Sequence, residues 1–217
     1  MLLALVAVGS WYLQHREESL LHTTQSIQVD RIVDGDTFVG TIAPSANAVL
    51  VGKQFRFRLR MVDAPEISQP HGTQATDALN ALLFSRRHDR EVVCRIWEKD
   101  TWGRLIADVF TRDNIQSAVV YVQGELVKDG HAWVFGGFAQ DRALVRLAEA
   151  AKKAKTGLWA GDTPLEPWIY RRMERGELGG KQGSHTGPKR EGRPSRLEKK
   201  QQQHEHRQER ERLKRKR

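Results

Sequence analysis

Four short pieces of this 217-residue chain carry residue types suited to polar chemistry: Asp34-Gly35-Asp36-Thr37, Arg58, Asp63-Ala64-Pro65-Glu66 and Gly103-Arg104. Singly, each has an ordinary structural reading. Asp-Gly-Asp is a common turn, Asp63 suits a helix cap, and Gly-Arg suits a solvated hairpin tip. Together they supply the parts for phosphodiester cleavage. That substrate is anionic and repels nucleophiles, so a cation must neutralise it, donors must meet the charge that develops in the transition state, and a water must be activated. Carboxylate oxygens of Asp36 and Asp63, with a backbone carbonyl, are hard ligands suited to Ca²⁺, with waters completing the shell. Glu66, three residues past Asp63, is expected to act as base or to position the water. Arg58 and Arg104 each offer phosphate oxygens a planar fork of donors that lysine does not reproduce.

The elements that must carry these residues are strands. From Ile27 the chain reads as β structure in IQVDRIV, DTFVGTI and, after a loop around Pro44 to Asn47, VLVGKQFRFRLRMV. In the last of these, strict alternation puts Phe55, Phe57, Leu59 and Met61 on one face and Arg56, Arg58 and Arg60 on the other. Thr73 to Arg87 has the apolar spacing of an amphipathic helix, through Ala75, Ala78, Leu79, Leu82 and Leu83. EVVCRIWE and RLIADVF form a hairpin across KDTWG. Gln116 to Asp129 reads as a helix closed by Gly130, AWVF as a short strand, and Asp141 to Lys155 as a helix, begun by Asp141 or Gln140 and stopped by Gly157. Five strands with interposed and trailing helices and no βαβ rhythm predict a mainly β fold with α: an OB-type five-stranded Greek-key barrel with about three packed helices. All four polar pieces then fall at strand ends.

Charge divides the chain. The formal net charge is +9, yet Arg171 to Arg217 hold 17 Lys or Arg against 7 Asp or Glu, which leaves residues 1–170 near neutral. A near-neutral globular part argues against passive, charge-driven polyanion binding and favours a site of individually placed basic groups. Three segments follow: an apolar leader (1–21, a signal or membrane-anchor remnant), a domain (22–170), and a basic tail (171–217) too polar to offset its chain entropy and expected to be disordered. The end of that tail, from Leu197, alternates Glu with Arg and Lys, so a solvated coil and a solitary charged helix both remain open. The leader is apolar for about a dozen residues, too short to span a bilayer and without basic residues ahead of it. Readings as a truncated signal or anchor, a membrane-surface segment and a core segment stay open, and a membrane-associated or secreted protein is the expectation. A single cysteine, Cys94, excludes an intramolecular disulfide and reads as a core thiol.

The ordered blocks VDGDTF, FRLRMVDAPE, DTWGRLIADVF, ELVKDGHAWV and AEAAKKAKTGLW resemble the micrococcal nuclease (thermonuclease) family from about Ile27 to Trp159, about 60% of the chain. The resemblance implies a five-stranded barrel with three helices and a calcium-dependent nuclease acting on DNA and RNA. Asp36 and Asp63 would be calcium ligands with the backbone carbonyl of Ala64, and Glu66 general base or water orienter. Arg58 and Arg104 would bind phosphate, while Asp34 and Thr37 would support the ligands without touching the ion. In-line attack with departure of the 5′-oxygen would leave 3′-phosphate ends. The alternative is a non-catalytic nucleic-acid-binding OB module, though such modules lack the acids present here.

The chain also departs from the family pattern. Where relatives stack a base on tyrosines, it has Gly136 and Gly137, with Phe135 and Phe138 nearby, so base preference stays open. LEPWIYRR resembles a bacterial tailpiece in which Trp168 is expected to dock on the barrel and Arg171 and Arg172 to mark the exit to solvent. The eight histidines are assigned surface or packing places, and Trp97, Trp102 and Trp133 packing roles. No protein partner is inferred.

Overall fold

β1 (Thr24–Asp34) is antiparallel to β2 (Thr37–Ile42), and β2 to β3 (Gln54–Leu59). The other edge of β1 takes β5 (Glu91–Lys99), which pairs with β6 (Leu105–Thr111). Parallel pairing of Phe57 with Leu105, Arg58 with Ile106 and Leu59 with Ala107 joins β3 to β6 and closes the ring. The circuit β1-β2-β3-β6-β5 is the expected OB-type barrel. This computed structural model describes residues 17–45, 50–84, 91–111, 118–136, 141–161 and 164–177. Of the two units of the chain, Met1–Leu178 and Gly179–Arg217, the second lies outside these residues, as do residues 1–16 of the leader.

Alternation builds the core. Phe55, Phe57 and Leu59 of β3 are buried while Arg56 between them is exposed, and Phe38 stacks on Phe57 at 5.1 Å. Helix α1 (Gly72–Phe84) adds Ala75, Leu79 and Leu83 to the same core, and helix α2 (Val122–Lys128) adds Val122, Leu126 and Val127. Helix α3 (Arg142–Ala154) starts at Asp141, whose side chain accepts from the Ala143 and Leu144 amides. It ends with Lys155 in the left-handed region, before the 3-10 turn Gly157–Ala160. Helix α4 (Pro167–Glu174) follows, with Pro at its start, where the missing N–H costs nothing.

Several expectations need correction. The predicted helix from Gln116 is shorter: its described part begins at Val122, because Val120 and Tyr121 form β7 (Val120–Tyr121) against Thr111 and Phe110 of β6. β-branched Val120 suits that pairing better than a helix. The strand FRFRLRMV breaks at Met61, which takes φ +67°. It restarts as β4 (Val62–Asp63), paired with β8 (Trp133–Val134). Trp102 packs on nothing that buries it and stays 79% exposed. Trp133 is buried, and Trp97 lies between the guanidinium groups of Arg60 and Arg95 while donating to Asp108. The boundaries at 21 and 170 both fall inside the fold. Leu20 is fully buried in the core, and Glu17 pairs with Lys53 and Lys99. α4 runs through residue 170 to Glu174, its Pro167 buried and Trp168 only half-buried. No helix among the described residues is long and apolar enough to cross a membrane.

Candidate active site

The β1–β2 turn brings the first carboxylates to one end of the barrel. A bulge between Ile32 and Asp34 leaves Asp34 opposite Thr37, with Gly35 and Asp36 as the turn. Gly35 is required by close approach, since a Cβ there would lie 2.7 Å from the Ala75 side chain and 2.8 Å from that of Ala64. Asp34 Oδ1 accepts from the Asp36 amide at 3.0 Å, and Thr37 Oγ1 donates to Asp36 Oδ1 at 2.9 Å. Thr37 lies opposite Arg58 on β3, and the Leu59 amide donates to the Asp36 carbonyl, so Arg58 is delivered beside Asp36 by register.

Asp63 reaches the same corner because the strand breaks. Continued alternation from Phe57 and Leu59 would point residue 63 into the core. The left-handed Met61 re-aims the chain, and Asp63 ends with no exposed surface but with charged partners. Arg58 bridges the two acids, Nη1 to Asp36 Oδ1 at 2.6 Å and Nη2 to Asp63 Oδ1 at 2.7 Å. The Ala64 amide donates to Asp36 Oδ2 at 2.9 Å. Glu66 follows in a loop folded by reciprocal bonds with Gln69, and Gly72 packs so tightly on it that a Cβ would fall 1.8 Å from the Glu66 carbonyl oxygen. A second left-handed residue, His71 at φ +72°, closes the loop. Two non-glycine residues in this region therefore bracket the acidic segment, a local strain of the kind that gathers at functional sites.

Arg171 of α4 completes the cluster, and its role was missed in the sequence. It does not mark an exit to solvent: Nη2 donates to Asp63 Oδ2 at 2.6 Å, and Nη1 to Asp63 Oδ1 at 3.1 Å and to Glu66 Oε1 at 2.6 Å. The available signal was its place four residues after Pro167, which puts it on the buried face of the helix. Burial opposes its charge, but the bonds to Asp63 and Glu66 outweigh burial and hold its pKa above the usual arginine range. Arg104 is not brought to the cluster by any contact among the described residues. Its Nε donates to Asp100 Oδ2 at 2.7 Å, and its guanidinium lies 5.2 Å from the Trp102 ring. Of the expected base-stacking stretch, Phe135 is exposed and Gly136 open, while Gly137 and Phe138 lie outside the described residues.

The residues present fit a hard divalent cation. Arg58 and Arg171 pair with Asp36, Asp63 and Glu66, and Asp34 brings a fourth carboxylate beside Asp36. Burial pushes the pKa of Asp36 up to about 7 even though Arg58 pulls it down, and Asp34 and Asp63 add to the rise. A carboxyl that resists ionisation beside others is relieved by a positive ion. The Ala64 carbonyl accepts no hydrogen bond from the described residues. Among those residues no group of three His, Cys, Asp or Glu side chains is placed to hold a metal ion; an ion here would have to take Asp36, Asp63 and the Ala64 carbonyl, complete its shell with water, and compete with guanidinium groups for the carboxylates. Two histidines have an unforeseen partner in each other: His71 Nε2 and His131 Nδ1 lie 3.1 Å apart, and burial lowers the pKa of both. A cavity of about 430 Å³ borders Gln69, Pro70 and His71, but none of the four carboxylates lines it.

Comparison with known proteins bears on the family and the fold. The family model described as "Staphylococcal nuclease homologue" matches residues 56–161. An uncharacterized endonuclease of Escherichia coli is 32% identical over 144 residues, 66% of this chain and 83% of that protein. Protein ParB of Escherichia coli is 37% identical over 153 residues, 67% of this chain and 78% of that protein. Probable staphylococcal-like nuclease CAN3 of Oryza sativa subsp. japonica is 30% identical over 126 residues, 58% of this chain but 31% of its own length, so the chain spans about a third of that relative. The closed barrel and these similarities agree, and the chain belongs to the staphylococcal nuclease homologue family.

Proposed function

We propose that the chain is a calcium-dependent nuclease of the micrococcal type, hydrolysing phosphodiester bonds of DNA and RNA and leaving 3′-phosphate ends. The observation that carries this reading is the convergence of Asp36, Asp63, Glu66 and Arg58 within hydrogen-bonding contact of a common set of groups at one end of an OB barrel. The E. coli relative named an endonuclease supports it. A calcium ion held by Asp36, Asp63 and the Ala64 carbonyl would supply charge neutralisation of the phosphate.

The chain's own residues do the rest. Glu66 accepts a proton from the attacking water as the water-oxygen-to-phosphorus bond forms in line with the breaking bond to the 5′-oxygen, which leaves and takes a proton from solvent. Arg58 keeps a second hydrogen on each terminal nitrogen beyond those given to Asp36 and Asp63, and these meet the equatorial oxygens of the phosphate. Arg104 joins by exchanging Asp100 for a phosphate oxygen. Asp34 and Thr37 keep Asp36 oriented. Residues 1–16 are proposed to direct the protein to a membrane surface or to export; deleting them should abolish membrane association in fractionated cells and leave cleavage intact.

The test is digestion of single-stranded DNA by wild type, Glu66→Gln and Arg58→Ala, in calcium and in chelator, with the product ends identified. Calcium-dependent cleavage to 3′-phosphates, slowed by about 10²-fold or more in both variants, is expected. Binding without cleavage by the folded wild type would establish a non-catalytic OB module instead.

A further inference from the structure

We propose that Arg171 is a positioning residue for Glu66, supplied in cis from beyond the region that the family model matches. The inference rests on the reading of Glu66 as the carboxylate that orients water. Glu66 sits in a segment without regular structure, and its side chain is 34% exposed. A glutamate in that setting has several rotamers open to it unless something holds the carboxylate. Among the described residues, the hydrogen bond to that carboxylate comes from Arg171 Nη1, at 2.6 Å to Oε1. Oε2 accepts nothing from those residues and is the oxygen left to take a proton from water.

Arg171 can hold Glu66 because it is itself held. Its two terminal nitrogens fork onto Asp63, which has no exposed surface and is tied to the barrel through Arg58. The geometry of the barrel thus passes from Arg58 to Asp63, to Arg171, to Glu66. The helix that carries Arg171 and the segment leading into it are strapped to the Glu66 loop at two further points, Tyr170 Oη donating to Ser68 Oγ at 3.0 Å and Gln69 Nε2 donating to the Leu165 carbonyl. Arg171 lies ten residues beyond the last residue of the family match, which ends at 161. A planar fork is needed for this bridge, since one terminal nitrogen spans Asp63 and Glu66 while the other stays on Asp63; a lysine is a single point of charge.

The experiment uses the full chain with single-stranded DNA and calcium, comparing wild type, Arg171→Met, Arg171→Lys, Glu66→Gln and the Glu66→Gln/Arg171→Met double variant. Arg171→Met is expected to lower kcat by about 10- to 100-fold with KM held within about threefold, because misplacement of a reacting group costs rate rather than affinity. Arg171→Lys should recover part of the loss, and it carries the test if the Met variant does not fold. In the Glu66→Gln background, Arg171→Met should cost less than about twofold more, since its effect passes through Glu66. Calcium binding by calorimetry should hold or tighten in Arg171→Met, since Arg171 shares Asp63 with the ion, while kcat still falls. An unchanged or higher kcat in the Arg171 variants overturns the proposal, as does an undiminished further loss in the double variant. Calcium binding tightened tenfold without loss of kcat would make Arg171 a competitor of the ion and overturn it likewise. If Glu66→Gln is as fast as wild type, the underlying reading of Glu66 fails, whatever Arg171 does.

Discussion

Asp63→Asn is the substitution whose consequence follows most directly from the geometry. Asp63 has no exposed surface and accepts three charge-assisted hydrogen bonds, one from Arg58 at 2.7 Å and two from Arg171 at 2.6 and 3.1 Å. Asparagine fills the same volume but turns one of the two accepting atoms into a donor, so one guanidinium contact becomes donor against donor. Removing one partner of a buried ion pair costs about 3–5 kcal/mol. Two effects reduce this: the Arg171 side chain is 33% exposed and water can replace part of its contact, and loss of the Asp63 charge relieves some repulsion on Asp36. A net loss of about 2–3 kcal/mol is expected. With a urea slope of about 2 kcal/mol per molar, the unfolding midpoint of the calcium-free protein should fall by roughly 1–1.5 M. Added calcium should raise the wild-type midpoint by mass action and leave that of the variant nearly unmoved. A variant midpoint within about 0.3 M of wild type without calcium would refute the claim that Asp63 is the hub of the cluster.

Three further expectations concern pH, the loop and the thiol. Asp36 has a folded pKa raised to about 7 from 3.8, so the native state binds its proton more tightly and gains stability as pH falls from 8 to 6, by about 1 kcal/mol. His71 and His131 have lowered folded values, so they lose stability over the same fall, as the unfolded histidines protonate first. In chelator the two effects oppose each other in wild type. Asp36→Asn should therefore be less stable at pH 6 than at pH 8 by urea unfolding, and the opposite order would contradict this assignment. Gly72→Ala drives a Cβ into the Glu66 backbone at 1.8 Å and should cost about 1–3 kcal/mol, seen as a melting temperature lower by several degrees, together with a fall in kcat; normal stability and kcat would show that the loop yields freely. Cys94 is fully buried and its pKa is raised by burial, so Ellman's reagent should label it only as the chain unfolds in urea; prompt labelling of the native protein would place it elsewhere.

The barrel was legible because period-two alternation survives wherever one strand face is buried. Phe55, Phe57 and Leu59 are apolar for the core, and the sequence shows them as such. The turn that sets Asp34 opposite Thr37 was legible as well, since a two-residue connection leaves few ways to join β1 and β2. Alternation failed at Met61. A methionine with φ +67° has no signature in composition, and its conformation is imposed by partners distant in the chain, the Arg60 amide donating to the Ala107 carbonyl and the Phe135 amide to the Met61 carbonyl. That break gives Asp63 charged neighbours in place of apolar ones. The helix predicted from Gln116 was overextended for a similar reason. Gln123 is buried and bonds its side chain to the Val109 amide and the Ala107 carbonyl of β6, a tertiary demand that periodicity does not register.

Arg171 was illegible because charge was counted by segment. A tail with 17 basic residues makes any one arginine in it look like solvent-facing surface. The acidic corner has the opposite problem: its four carboxylates exceed the cations near them in sequence, since Arg58 alone lies between Asp34 and Glu66 close enough to bridge Asp36 and Asp63. A buried carboxylate without a partner is costly enough that the shortfall itself predicts a further cation from elsewhere in the chain or from solution. The fold meets part of that demand with Arg171, whose reach from α4 places a guanidinium where the two acids nearest the proposed reaction, Asp63 and Glu66, would otherwise repel each other. Asp36 keeps a raised pKa even so, with burial its largest cause and Asp34 and Asp63 adding to it, and a divalent ion bound in the same corner would lower it.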